Sequence, residues 1–171
     1  MKRQKKTEIV IRRAGIKDVP AIVELAVEGI KFSLSPFRYA TVEEVMEYRR
    51  KDLAVLPEII SRPNVGIFLA EDKKGDIIGC IMAVGEQIES STGEEQGWIY
   101  DMTVRPEYWN QGIGTLLIET AEDFIRSLGH KYIGLAVTTA NKRAVSFYKK
   151  RGYMEERKRM IKQLGDSKNE K

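Results

Sequence analysis

The chain is predicted to fold as an α/β (α+β) domain with mixed strand directions, and three features of its 171 residues lead there. Short β-rich runs alternate with segments whose apolar residues recur at helical spacing. Two of those runs flank Asp72-Lys73-Lys74-Gly75-Asp76, a charged connection whose glycine can take positive φ, which marks an antiparallel hairpin. Further on, a strand-like run, a glycine turn, a helix and another strand-like run follow one another, the order of a crossover joining parallel strands.

Residues 9–13 are β-rich and stop at Ala14-Gly15, after which Asp18, Val19 and Pro20 supply a cap and a proline near a helix start. Ile22, Val23, Leu25, Ala26 and Ile30 then carry a first helix to Ile30 or Phe32. Ser33-Leu34-Ser35-Pro36-Phe37 breaks it. The bridge through Tyr39 reads either as a tight helix–helix connection or as a pocket wall, with Phe37 a candidate substrate contact. Thr41 followed by Glu44 is a capping box for a second helix ending near Asp52 or Val55. Val65–Glu71 and residues 77–84 are the two arms of the hairpin. Residues 85–96 hold Glu86, Glu89, Glu94 and Glu95 and no basic residue, so a mobile acidic loop is expected, either a solvated connection or a rim that attracts cations. Strand character resumes over residues 98–104. Leu116, Leu117, Ala121, Phe124, Ile125 and Leu128 repeat with helical spacing up to Gly129, a C-cap residue. Residues 132–137 read as a buried strand, 141–150 as a short helix, and 152–161 as a final strand in which charged and apolar positions mix. One domain, residues 8–162, is expected between a basic tail (1–7) and a polar tail (163–171).

Composition bounds the chemistry. The formal charge of +4 equals the contribution of Lys2, Arg3, Lys5 and Lys6, so the basicity belongs to one end and a nucleic-acid partner is not expected. One Cys and one His give no disulfide and little material for a metal site, so no metal is expected. No run approaches the roughly 18 apolar residues of a membrane span or the core of a signal peptide, which makes a cytoplasmic location the default and a membrane partner unexpected. Cys80 reads as a small buried apolar group and His130 as a surface residue.

The informative segment is Val104-Arg105-Pro106-Glu107-Tyr108-Trp109-Asn110-Gln111-Gly112-Ile113-Gly114-Thr115. Gly112 and Gly114 strip side chains from the point where the chain turns into a helix, so backbone amides there can converge on an anion at the helix's positive end. It lacks the third glycine of a dinucleotide fingerprint and the Gly-Lys-Ser/Thr ending of a triphosphate loop. The segment resembles motif A of the GNAT acetyltransferases (Arg or Gln, two variable residues, Gly, one variable residue, Gly or Ala), with Trp109 in the first slot. Asn141, Ala144, Phe147, Tyr148, Gly152 and Tyr153 are similar to the family's later Asn-x-x-Ala-x-x-Phe-Tyr-x-x-x-Gly-Phe/Tyr pattern, and the order of elements over residues 9–161 agrees.

That resemblance implies a mostly antiparallel central sheet flanked by helices, with an acetyl-CoA site at a splay between parallel strands. Met102, Thr103 and Val104 would line the pantetheine arm, and Asn110, Gln111, Gly112, Ile113, Gly114 and Thr115 would hold the pyrophosphate. Asn141 would hydrogen-bond along the cofactor or to its local backbone, with Phe147 and Tyr148 flanking the arm and thioester. It implies an N-acetyltransferase that passes acetyl directly to a primary amine, whether a small cationic amine, a polyamine or a peptide amino group. The Tyr148 phenol, with an ordinary pKa near ~10, suits protonation of a departing thiolate. Asp101 could accept the amine's proton, or anchor the substrate, if it faces substrate or solvent. Tyr100, Glu94 and Glu95 are further substrate candidates. The competing reading is a non-catalytic acyl-CoA-binding or interaction module. Homodimerisation is compatible with either.

Overall fold

A computed structural model describes residues 9–164, which divide into two compact units: residues 9–32 with Ala40–Ala136, and Ser33–Tyr39 with residues 137–164. The basic tail of residues 1–7 lies outside the described residues, as does all of the polar tail beyond Leu164.

The first unit is a five-stranded sheet with helices on both faces. In chain order it holds β1 (Val10–Arg13), α1 (Val19–Gly29), a 3-10 turn (Ile30–Phe32), α2 (Val42–Asp52), α3 (Leu56–Ile59), β2 (Val65–Glu71), β3 (Ile77–Ile88), β4 (Glu95–Val104), a 3-10 turn (Pro106–Tyr108), α4 (Ile113–Ser127) and β5 (Ile133–Leu135). The strands lie in sequence order; the first four pair antiparallel and β5 pairs parallel to β4 across the α4 crossover. The fold is thus the mixed, mostly antiparallel sheet that the sequence predicts.

The middle strands are buried on both faces, which is why β2 reads as an unbroken apolar run and not as an alternating one. Ile67, Leu69, Cys80 and Met82 pack with Ile22, Leu25, Ala26, Leu53 and Leu56 on the α1–α3 side. On the other side Phe68 meets Phe124 of α4 edge to face, and α4 buries Leu117, Ile118, Ala121 and Ile125 at helical spacing. Two glycines let α4 lie close: a Cβ on Gly66 would stand 2.5 Å from Phe124, and one on Gly97 would collide with Ile125. The Thr41 capping box is fully formed, with the Thr41 hydroxyl accepting from the Glu44 N–H at 3.2 Å and the Glu44 carboxylate accepting from the Thr41 N–H at 2.8 Å. No helix of the described residues is long and apolar enough to cross a membrane.

Two expectations are corrected here. Half of residues 85–96 are strand: β3 continues to Ile88 through a bulge between Val84 and Gln87, with Glu86 at φ 66°, β4 begins at Glu95, and residues 89–94 form the turn. The Glu89 carboxylate accepts from the N–H groups of Ser91 and Thr92, so it builds the turn. The final strand over residues 152–161 does not form: residues 153–164 pair with no strand, and Met154, Met160 and Leu164 are more than three-quarters exposed. Its mixed pattern presents no continuous apolar face to bury.

The second unit is built on α5 (Lys142–Lys149), capped by Asn141, whose Oδ1 accepts from the Ala144 N–H at 3.1 Å. Phe147, Tyr148 and Tyr153 meet edge to face, and the Arg151 guanidinium lies 3.6 Å from the centre of the Phe147 ring. Thr138 donates to the Ser33 carbonyl and Tyr39 to Gln163.

Candidate active site

β4 and β5 pair only over Gly97↔Ile133, Trp98↔Gly134 and Ile99↔Leu135. β5 ends there, while β4 runs on through Tyr100, Asp101, Met102, Thr103 and Val104, so two parallel strands part and leave five residues of β4 with no β5 partner. Within the sheet this places a strand edge where backbone donors and acceptors can meet a ligand.

The parting coincides with a bulge. Met82 pairs with Asp101 and Ala83 with Ile99, so Tyr100 is an extra residue on β4 and the alternation of faces shifts there. Gly97 and Ile99 face α4, and past the bulge so do Met102 and Val104, partners of Ile81 and Gly79. Asp101 and Thr103 face α1 and α2: the Thr103 side chain would stand 2.6 Å from a Cβ on Gly29, the last residue of α1. Tyr100 is exposed and donates to Gln87 at 3.2 Å.

The Asp101 side chain is mostly buried and paired. Arg49, from α2, donates to its Oδ2 at 2.5 Å, and the Thr103 hydroxyl stands 3.5 Å from its Oδ1. Arg49 also pairs with Asp52. The Arg49 and Asp101 side chains are each 17% exposed. Burial pushes the Asp101 carboxyl above the usual carboxylate range, and the Arg49 charge and hydrogen bond offset that in part. Burial works against the Arg49 charge too, but Asp101 and Asp52 together keep it firmly protonated. Sequence reasoning missed Arg49. The signal was its place on the inward stripe of α2, where Val45, Met46, Arg49 and Leu53 follow at helical spacing with one charge among apolar residues. Cys80, opposite Thr103, is buried, and burial pushes its thiol far up, so it offers no nucleophile.

Beyond Val104 the chain makes the expected glycine turn. Asn110 and Gly112 sit in the left-handed region at φ 61° and 85°, and Gly112 caps α4. Among the described residues the N–H groups of Gly112, Ile113 and Gly114 donate to no protein acceptor, and the space where a Gly112 Cβ would stand is open. Three amides without a protein acceptor at a helix's positive end, the first of them beside open space, fit a diphosphate. The Thr115 N–H is already given to the Gly112 carbonyl at 2.9 Å, and the Gln111 side chain donates to the Glu107 carbonyl at 3.1 Å.

Of the predicted residues, 100–104 and 110–115 lie on β4 and the turn that follows it. Glu95 opens β4, about 20 Å along the strand from Asp101, and Glu94 is in the hairpin turn, so neither joins Asp101. Phe37, Asn141, Phe147 and Tyr148 belong to the second unit; Phe37 is exposed, and Asn141 satisfies the local-backbone alternative. His130 accepts from the Glu86 N–H at 3.3 Å and pins the β3 bulge.

The family model described as the acetyltransferase (GNAT) family matches residues 32–153. The chain belongs to the GNAT family. An uncharacterised N-acetyltransferase of Archaeoglobus fulgidus is 28% identical over 138 residues, covering 81% of this chain and 88% of that one. An uncharacterised N-acetyltransferase of Methanocaldococcus jannaschii is 30% identical over 97 residues, which are 57% of this chain but 42% of that protein. The mycothiol acetyltransferase of Propionibacterium freudenreichii is 28% identical over 88 residues, 52% of this chain and 27% of its own length, so the chain spans under half of either of these two relatives. A solved Pyrococcus furiosus protein with an acetyl transferase designation superposes at TM-score 0.74 with 27% identity, covering 92% of this GNAT protein and all of that chain. An aminoglycoside N-acetyltransferase solved with CoA has the same fold at TM-score 0.69 and 13% identity, over 94% and 97% of the two chains.

Proposed function

We propose that this protein transfers an acetyl group from acetyl-CoA directly to a primary amine. The observation that carries the reading is the parting of β4 from β5 beyond Ile99, next to the three open amides at residues 112–114. Acetyl-CoA supplies the thioester to be attacked. The edge of β4 that β5 leaves unpaired beyond Ile99 binds and orients the amide-bearing arm, and the turn holds the diphosphate. Tyr148 is the acid that protonates the departing sulfur as its bond to the acyl carbon breaks. Asp101 is the base in the sequence reading; with Arg49 on its Oδ2, the acceptor's proton passes more readily through water or to solvent.

The acceptor is a cationic amine. The described part of the first unit carries 13 Lys and Arg against 20 Asp and Glu, a formal charge of −7, whereas that of the second carries 10 against 2, or +8. The near-neutral balance outside the basic tail therefore conceals two opposite fields. An acidic unit draws a protonated amine.

Release of CoA thiol across a panel of polyamines, aminoglycosides and basic peptides tests the reading, with neutral amines as the contrast. CoA binding together with amine-dependent thiol release supports it, and neutral amines outpacing cationic ones removes the acceptor class. One observation favours a non-catalytic acyl-CoA-binding module instead: the only carboxylate on the α1–α2 face of β4 is already paired with Arg49. CoA binding without thiol release from any amine selects that alternative. The cytoplasm is the compartment proposed for either activity.

A further inference from the structure

We propose that Trp109 is a positioning residue for the acetyl donor: its indole fixes the diphosphate turn on the end of β4 and couples that turn to the end of α1 through Phe32. The inference rests on the donor reading above. In the family pattern the slot held by Trp109 carries Arg or Gln, whose side chains have several donors. Trp has one, and the Trp109 Nε1–H gives it to the Val104 carbonyl at 2.6 Å. Val104 is the last residue of β4, so this bond clamps the loop over residues 105–108 onto the strand that would carry the pantetheine arm.

The ring is held as well. Trp109 meets Phe32 edge to face, with centroids 5.0 Å apart at 72°, and the Lys31 ammonium stands 5.2 Å from the Phe32 ring. Phe32 closes the 3-10 turn that follows α1. Immediately after Trp109 the backbone swings into the left-handed region at Asn110 and again at Gly112. Trp109 is therefore the last anchored side chain before the open amides, apart from Gln111, whose amide only closes the same loop onto Glu107. Neither side chain points a hydrogen-bond donor at the anion. The amides do the binding, and their placement relative to β4 depends on the indole. A displacement on the order of 1 Å is enough to degrade such a cradle.

The test is calorimetry of CoA binding to the full chain and to W109F, which keeps a ring near Phe32 and removes the N–H. W109F is expected to bind CoA roughly three- to tenfold more weakly, the scale of one lost hydrogen bond. The KM for acetyl-CoA should rise in step, with kcat within about twofold of wild type. Should W109F fail to fold, indole NMR of the unaltered chain decides: of its two indole N–H resonances, the one that remains in W98F belongs to Trp109 and should shift on CoA saturation. Wild-type protein that binds no CoA overturns the donor-site reading itself. Wild-type binding with W109F inside twofold, a loss in kcat at constant KM, or an indole resonance indifferent to CoA leaves the donor site standing and overturns the role of Trp109.

Discussion

Replacing Arg49 by Met removes the cation from a mostly buried carboxylate. Breaking one side of a buried ion pair costs about 3–5 kcal/mol. Because the Arg49 and Asp101 side chains each keep 17% of their surface in water, the lower end is expected, about 3 kcal/mol. At roughly 2–4 °C per kcal/mol for a chain of this size, R49M should melt about 6–12 °C below wild type. The loss has a pH signature. Asp101 titrates above an ordinary carboxyl in the folded protein because burial outweighs Arg49, so the folded state holds this proton more tightly than the unfolded state. Its contribution to stability is complete below the ordinary Asp value of 3.8 and is lost as pH rises through the folded value. Without Arg49 the folded value climbs further and the loss deepens. Thermal and urea melts at about pH 5 and about pH 7.5 should therefore show R49M falling further behind wild type at the higher pH. R49M/D101N, with no charge left to desolvate, should recover most of the stability and flatten the pH response. An R49M protein within about 1 kcal/mol of wild type at both pH values refutes the reasoning, as does an equal loss at both.

Hydrogen bonds from Arg12 hold the Asp18 carboxyl at about 2, so its contribution is present above the ordinary 3.8 and is lost as pH falls through about 2. D18N should cost about 1–2 kcal/mol at neutral pH, allowing for the one-third exposure of Arg12, with the gap closing in acid; guanidinium melts at stepped pH measure it. G112A meets no atom but must hold φ 85°, so about 1–2 kcal/mol of strain and weaker CoA binding are expected, and an unchanged melting temperature would argue against that conformation. Y148F should lower kcat about a hundredfold with the KM for acetyl-CoA inside twofold; an undiminished kcat removes Tyr148 from the acid role.

What could be read from the sequence was what local chemistry decides. Thr41 and Glu44 cap α2 because a hydroxyl and a carboxylate three residues apart can reach each other's backbone N–H in no other register. Gly129, at φ 89°, ends α4, and the segment Asp72 to Asp76 closes the β2–β3 hairpin. What escaped depends on partners distant in sequence. Nothing in the run from Trp98 to Val104 announces that Tyr100 is an extra residue, because a bulge exists only against the opposing strand, here β3. Asp101 was expected to meet substrate or solvent; the group that meets it is Arg49, 52 residues away in sequence. The acidic stretch looked mobile because carboxylates suggest solvent, yet Gln87↔Gln96 and Ile88↔Glu95 pair through their backbones, which are indifferent to side-chain charge. The final strand shows the opposite error: β-compatible residues were present over 153–161 without a neighbouring strand to pair with.

The parting of β4 and β5 also bears on how firmly the protein holds together. On the function proposed above, a donor arm with amides along its length would fill the gap as a strand fills a sheet edge and become a structural member of the sheet it enters. By mass action, a ligand at a hundred times its dissociation constant adds about 2.7 kcal/mol to the folded state. Protein purified without the donor should accordingly be the more fragile species, with the stretch of β4 beyond Ile99 left as an unsealed strand edge that invites pairing with other chains.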